Sequence, residues 1–193
     1  MKVAIIKYNA GNVQSVIYAL QRFGLEPRLT DDPEYIASAD KVIFPGQGEA
    51  SSAMRYLKNK KLDELIRGLS QPVLGICIGL QLLCSHSEEG DTPCLGIFKV
   101  KVKKFPPRDK VPHMGWNTFE EKKGRLLQGL RDDAFLYYVH SFYAEKGPET
   151  TGISRYILPF SAVMEKDNFY AVQAHPEKSS RDGELILKNF LDL

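Results

Sequence analysis

Apolar and polar positions follow one rhythm in the first half of the chain and another in the second. Residues 3–7, 41–44 and 73–76 read as strands built on short apolar runs (Val3 to Ile6, Val42 to Phe44, Val73 to Ile76) of the kind buried on both faces, and residues 26–30 give a short, more polar strand. Between them, residues 13–23 carry helical periodicity, with Asn12 as a cap and Gly24 as a stop. Residues 33–37 allow one helical turn. A helical stretch opens at Pro45-Gly46-Gln47-Gly48-Glu49 and runs to about residue 57, and a second spans about 62–69. This βαβ rhythm implies a parallel sheet with helices on its faces. Past Cys84, residues 85–93 are polar and turn-like. Segments 98–105, 134–140, 161–166 and 169–174 then alternate as antiparallel strands do, with a hairpin at Asp167-Asn168 and a closing helix over about 181–191. The predicted fold is α/β in three layers: an open, mostly parallel sheet with flanking helices and an antiparallel C-terminal portion, in one domain over residues 1–193.

Composition narrows the function. A chain of 193 residues buries roughly 70% of its unfolded surface, so no disulfide staples are needed. Apolar residues at 43% and charged residues at 26% are ordinary globular usage, and a net charge of +2 gives no footprint for nucleic acid. The basic cluster Lys99 to Lys104 alternates with Val100, Val102 and Phe105, as a solvated strand would. The apolar run before Lys7 is too short for a signal-peptide core or a membrane span, and no later run is long enough to span a membrane. Three cysteines form neither a disulfide framework nor a metal-ligand spacing, which points to a reducing cytoplasm.

In open α/β sheets, ligands bind beyond the carboxyl ends of parallel strands. Three segments fall there: Tyr8 to Asn12, Pro45 to Glu49, and Cys77 to Gly79. Cys77 stands between Gly75 and Gly79, and these glycines leave room for a sharp strand-to-helix turn that would lift a nucleophile off the sheet. The other reading is a buried, inert thiol. A thiol nucleophile needs a base, and the base needs an orienting group. Of the four histidines, His86 lies in a polar surface loop, and His113 and His140 have no carboxylate nearby in sequence. His175 differs: His175-Pro176-Glu177 places an acid two residues on, on the same side of extended backbone. Acyl transfer also needs N–H groups for a developing oxyanion. The N–H of Ile78 is one donor, and the backbone at Gly46, Gln47 and Gly48 supplies another unless that loop is a plain strand-to-helix turn.

PGQGE at 45–49, GICIGLQ at 75–81 and AVQAHPEKS at 171–179 together resemble the class I (triad) glutamine amidotransferases over nearly the whole chain. YNAGN at 8–12, HMGWN at 113–117 and YYVHSFY at 137–143 resemble the branch of that family that serves histidine biosynthesis. The resemblance implies that Cys77 attacks the carboxamide of L-glutamine, that His175 carries the proton and that Glu177 orients His175. It implies that Gln81, Ser141 and Phe142 hold the substrate. It further implies a (β/α)8-barrel cyclase subunit that receives ammonia, with Asn12, Trp116, Tyr137 and Lys178 near the interface, and no cofactor or metal. Two positions depart from the family pattern: Gln47 where a small apolar residue is commoner, and Ala174 where phenylalanine is common. Ala174 should point away from His175 and leave the triad intact.

Overall fold

The computed structural model describes residues 1–8, 13–46 and 48–193. Its first half runs β1 (Val3–Ile6), α1 (Gln14–Gln21), β2 (Arg28–Thr30), α2 (Pro33–Ala37), β3 (Lys41–Phe44), α3 (Ala50–Asn59), α4 (Leu62–Arg67), β4 (Val73–Ile76) and α5 (Ile78–Leu83). Every residue of β1, β3 and β4 is buried, Lys41 at the start of β3 included, which is why the strands otherwise read as apolar runs. Asp32 caps α2 by accepting from the backbone N–H groups of Glu34 and Tyr35, and Pro33 fits the first helical position. Glu49 does the same for α3, accepting from Ser51 at 3.1 Å and Ser52 at 3.0 Å. Ala50, Ala53, Met54 and Leu57 form the buried stripe of α3. The expected cap Asn12 lies outside the described residues.

The second half adds β5 (His86–Ser87), β6 (Thr92–Pro93), β7 (Lys101–Lys104), β8 (His113–Asn117), β9 (Glu121–Lys122), β10 (Leu136–His140), β11 (Phe142–Ala144), β12 (Thr150–Tyr156), β13 (Leu158–Lys166), β14 (Phe169–Val172), a 3-10 turn (Pro176–Lys178) and α6 (Ser180–Leu191). Two expectations change. Residues 85–93 contain the small antiparallel pair β5–β6, and the strand expected over 98–105 shrinks to β7, although Val100, Val102 and Phe105 are buried and Lys101 and Lys104 exposed as foreseen. Strands β8, β9, β11 and β12 were not foreseen. In β12 the burial alternates, but the inward positions include Thr150 and Ser154, whose hydroxyls pair with Ser161 Oγ at 2.7 Å and Tyr138 Oη at 3.0 Å. Satisfied hydroxyls can be buried cheaply, so the alternation exists without an apolar signature.

The main sheet has the order β2-β1-β3-β4-β14-β13-β11-β7-β5-β6 among the described residues. From β2 to β14 neighbouring strands are parallel; from β14 through β13 and β11 to β7 they are antiparallel. Successive residues of one strand enter opposite cores. Ala4, Ile6, Val42 and Phe44 pack with α3, α4 and α5, whereas Val3, Ile5, Ile43 and Leu74 pack with α1 and α6. This period-two division makes three layers, helices on both faces of one sheet. A separate antiparallel ribbon, β8–β10, lays Leu136, Tyr138, His140 and His113 inward and turns Met114 and Trp116 outward.

Candidate active site

Strand β4 delivers Cys77 into a backbone conformation of φ +52° and ψ −107°, which non-glycine residues rarely adopt. Ladder bonds on either side hold it there: Cys77 N–H donates to the Val172 carbonyl at 2.8 Å, and Gln81 N–H to the Cys77 carbonyl at 3.3 Å. The flanking glycines make room for this turn, as their spacing suggests: a Cβ on Gly75 would stand 2.8 Å from the Gly79 carbonyl carbon. The turn falls on Cys77 itself, and the glycines permit backbone to lie on backbone. A Cβ on Gly46 would stand 1.9 Å from the Ile76 carbonyl oxygen, and one on Gly79 would stand 2.1 Å from that of Phe44. The loop after β3 is thereby pressed against the elbow after β4. Gly48 does need a glycine backbone, at φ +144°.

His175 follows β14, the strand beside β4, in extended conformation at φ −101° and ψ 90°, as Pro176 dictates. The 3-10 turn Pro176–Lys178 then brings Glu177 Oε1 to 2.7 Å from His175 Nδ1. Cys77 lies beside the ring as well, near enough to act on its charge. Both side chains of the His175–Glu177 pair are nearly inaccessible, at 2% and 4% exposure. Burial opposes a charged imidazole here, but Cys77 and Glu177 outweigh it and push the His175 pKa up to about 10. Ser179 fixes the segment, donating to the His175 carbonyl at 2.6 Å and accepting from Tyr137 N–H at 2.9 Å. Ala174 is buried in the core on the α1–α6 side, as expected for a residue out of phase with His175.

These groups open on a cleft of about 400 Å³, a volume suited to a small ligand. Gly46, Gly48, Ile78, Gln81, Ser141 and Phe142 all line it, so the predicted loop and substrate residues converge with Cys77 and His175. Gln47, like Asn12, lies outside the described residues. Trp116 and Tyr137 meet edge to face at 5.9 Å on the outer side of the ribbon, and Lys178 is exposed. His86 lies in strand β5 rather than in the loop expected, half-buried, and pairs with Asp91 at 2.9 Å away from the cleft lining. Burial holds the other two thiols protonated, with Cys94 pushed up to about 12 and Cys84 also raised.

Several site residues were not legible individually. Glu89 lines the cleft, its Oε2 accepting from Ala50 N–H at 2.8 Å while burial pushes its carboxyl pKa up. Gln173, wholly buried, touches both Cys77 and Gln81; its signal was its place two residues before His175, on the same side of the strand. Tyr8 donates its hydroxyl to the Pro45 carbonyl and so ties the end of β1 to the loop after β3. His140, which lines the cleft, and His113 form a buried pair, 2.9 Å apart between Nε2 and Nδ1. The Phe142 carbonyl can only accept, so His140 Nδ1, 2.7 Å away, carries the proton. His140 Nε2 then accepts from His113 Nδ1, and His113 Nε2 accepts from Asn117 at 3.3 Å. Burial pushes His140 down to about 3 and His113 to about 4, so both rings are neutral at pH 7.

The family model described as "Glutamine amidotransferase class-I" matches residues 4–193. Among curated relatives, the imidazole glycerol phosphate synthase subunit HisH of Bacteroides thetaiotaomicron is 57% identical, with each chain covered in full. That of Idiomarina loihiensis is 44% identical over 100% of this chain and 98% of its own. Two solved structures share the fold. One glutamine amidotransferase aligns at TM-score 0.76 and 17% identity, covering 100% of this chain and 98% of its own. Another, from Thermotoga maritima, aligns at TM-score 0.64 and 17% identity, covering 100% of this chain and 83% of its own. A family match over almost the whole chain, with full-length relatives far above the identity at which folds diverge, places this chain among the class I glutamine amidotransferases.

Proposed function

We propose that this chain, a single domain, is the glutaminase subunit of an imidazole glycerol phosphate synthase, releasing ammonia from L-glutamine for histidine biosynthesis in the cytoplasm. The observation that carries the chemistry is the Cys77–His175–Glu177 constellation at one end of adjacent strands. The full-length relatives named for that synthase support the pathway.

Glutamine enters the cleft with its carboxamide toward Cys77. Glu89 offers a carboxylate for the α-ammonium group, and Ser141 and Phe142 offer backbone to the amino-acid end. The Cys77 thiolate attacks the carboxamide carbon, and the oxyanion is met by the Ile78 N–H and the backbone of the loop Gly46-Gln47-Gly48. His175, held protonated against Glu177, gives its proton to the departing nitrogen, and ammonia leaves. A thioester remains. His175, now neutral, takes a proton from water, hydroxide adds to the thioester, and glutamate departs as the thiolate returns. Ammonia passes to a (β/α)8-barrel cyclase docked over Trp116, Tyr137, Lys178 and Asn12. The exposed Met114 and Trp116 on a two-stranded ribbon favour a partner at that place.

The test uses an electrophilic glutamine analogue and the cyclase. The analogue should label Cys77, Cys77→Ala should lose hydrolysis while still binding the cyclase, and hydrolysis should depend on the cyclase. Full turnover by Cys77→Ala would overturn the proposal.

A further inference from the structure

We propose that Gln173 is a positioning residue of this site, whose side-chain N–H is held toward the Cys77 sulfur and favours its thiolate. The inference rests on Cys77 being the nucleophile and adds a group that sets its ionisation.

Direction in the hydrogen-bond chain is fixed from its far end. The Phe142 carbonyl accepts and cannot donate, so the amide group of Gln81 facing it, at 2.9 Å, is the NH2. The second hydrogen of that NH2 points to Gln173 Oε1 at 3.0 Å. The Gln173 amide is thereby turned so that its own NH2 faces the sulfur, 3.6 Å from Sγ. With no freedom to flip, Gln173 presents a donor to sulfur in both thiol and thiolate forms, and a donor is better matched to the anion. The same carbonyl accepts from His140 Nδ1, so two donors hold the anchor of the chain. Gln173 is wholly buried, so its amide does not exchange its partners for water.

Gln81 gains a sharper description as well. Both hydrogens of its NH2 are spent inside the protein, so only its Oε1 is available to a ligand in the cleft, as an acceptor.

The test is the pH dependence of Cys77 alkylation by iodoacetamide in the full chain, read by mass spectrometry at Cys77. Wild type is compared with Gln173→Met, which removes the donor, and Gln173→Glu, which keeps the shape and turns an acceptor to sulfur. The alkylation midpoint should rise by about one pH unit in Gln173→Met and further in Gln173→Glu. With the cyclase present, kcat for glutamine at pH 7 should fall about tenfold with KM within about threefold. A purely structural Gln173 would lower the melting temperature and leave the midpoint where it was. Unchanged midpoints in both folded variants would overturn the inference. A wild-type Cys77 that resists alkylation in the native chain and reacts only on denaturation would overturn the nucleophile itself, and this inference with it.

Discussion

Gly46→Ala tests the contact between the loop after β3 and the nucleophile elbow. The added methyl would lie 1.9 Å from the Ile76 carbonyl oxygen and 2.7 Å from Cys77 Cβ, where unbonded Cβ atoms essentially never approach within 3.0 Å. Both obstacles are backbone or Cβ, with no flexible side chain to swing away. The loop must withdraw from the elbow by about 1 Å. Displacing a group that stabilises developing charge by that distance costs about 100-fold in rate, equivalent to about 3 kcal/mol of transition-state stabilisation. The fold should lose about 1–3 kcal/mol through overpacking. Steady-state glutamine hydrolysis with the cyclase, alongside a denaturant melt, reads both. The control is Gly24→Ala, at φ +73° with nothing within 4 Å of the new methyl: it should cost about 1 kcal/mol of stability from backbone strain and leave kcat unchanged. If folded Gly46→Ala retained kcat within about threefold of wild type, the loop would not be working against the elbow as described.

Glu89→Gln removes the carboxylate from the cleft wall while preserving its shape; KM for glutamine should rise about tenfold or more with a smaller change in kcat, and an unchanged KM would remove Glu89 from ammonium recognition. The buried pair His113 and His140 makes stability depend on pH in a stated direction. Their folded pKa values, about 4 and about 3, lie below the unfolded value of about 6.5, so the unfolded chain binds protons that the folded chain refuses. Their contribution is complete above pH 6.5 and is lost as pH falls toward 4, at about 1.4 kcal/mol per pH unit for each ring. Urea midpoints across pH 4–7 should show it, and His113→Gln should remove about half of the slope attributable to the pair; an unaltered slope would mean His113 titrates normally.

The parallel half of the sheet was legible because burial on both faces forces continuous apolar sequence, as in Val73–Ile76 and in Val42 to Phe44. The Cys77 elbow and the His175-Pro176-Glu177 turn were legible because each is a local device, complete within a few residues. What escaped was set by contacts distant in sequence. Gln173 acquires its orientation from Gln81 and Phe142, and Glu89 reaches the cleft by binding Ala50 at the start of α3. His113 and His140 lacked a carboxylate in sequence because they need none: each ring's partner is the other ring, a carbonyl or an amide. β12 was hidden by buried hydroxyls paired across the structure with Ser161 and Tyr138. The glycines at 75 and 79 make room for the turn, as their spacing suggests, with Gly75 lying against the Gly79 backbone; Cys77 takes the unusual backbone, and Gly79 also admits the Phe44 carbonyl of the neighbouring segment.

The position of β14 also governs when the enzyme comes into being. It fills the gap between β4 on its parallel side and β13 on its antiparallel side, although it is made long after β4. Until it inserts, β4 presents an unpaired edge whose residues are all apolar, a stretch prone to mispairing in a nascent chain. The same insertion carries His175 and Glu177 to Cys77. Closing the sheet and arming the thiol are therefore one folding event of long sequence separation, and an incomplete chain holds its nucleophile without a base.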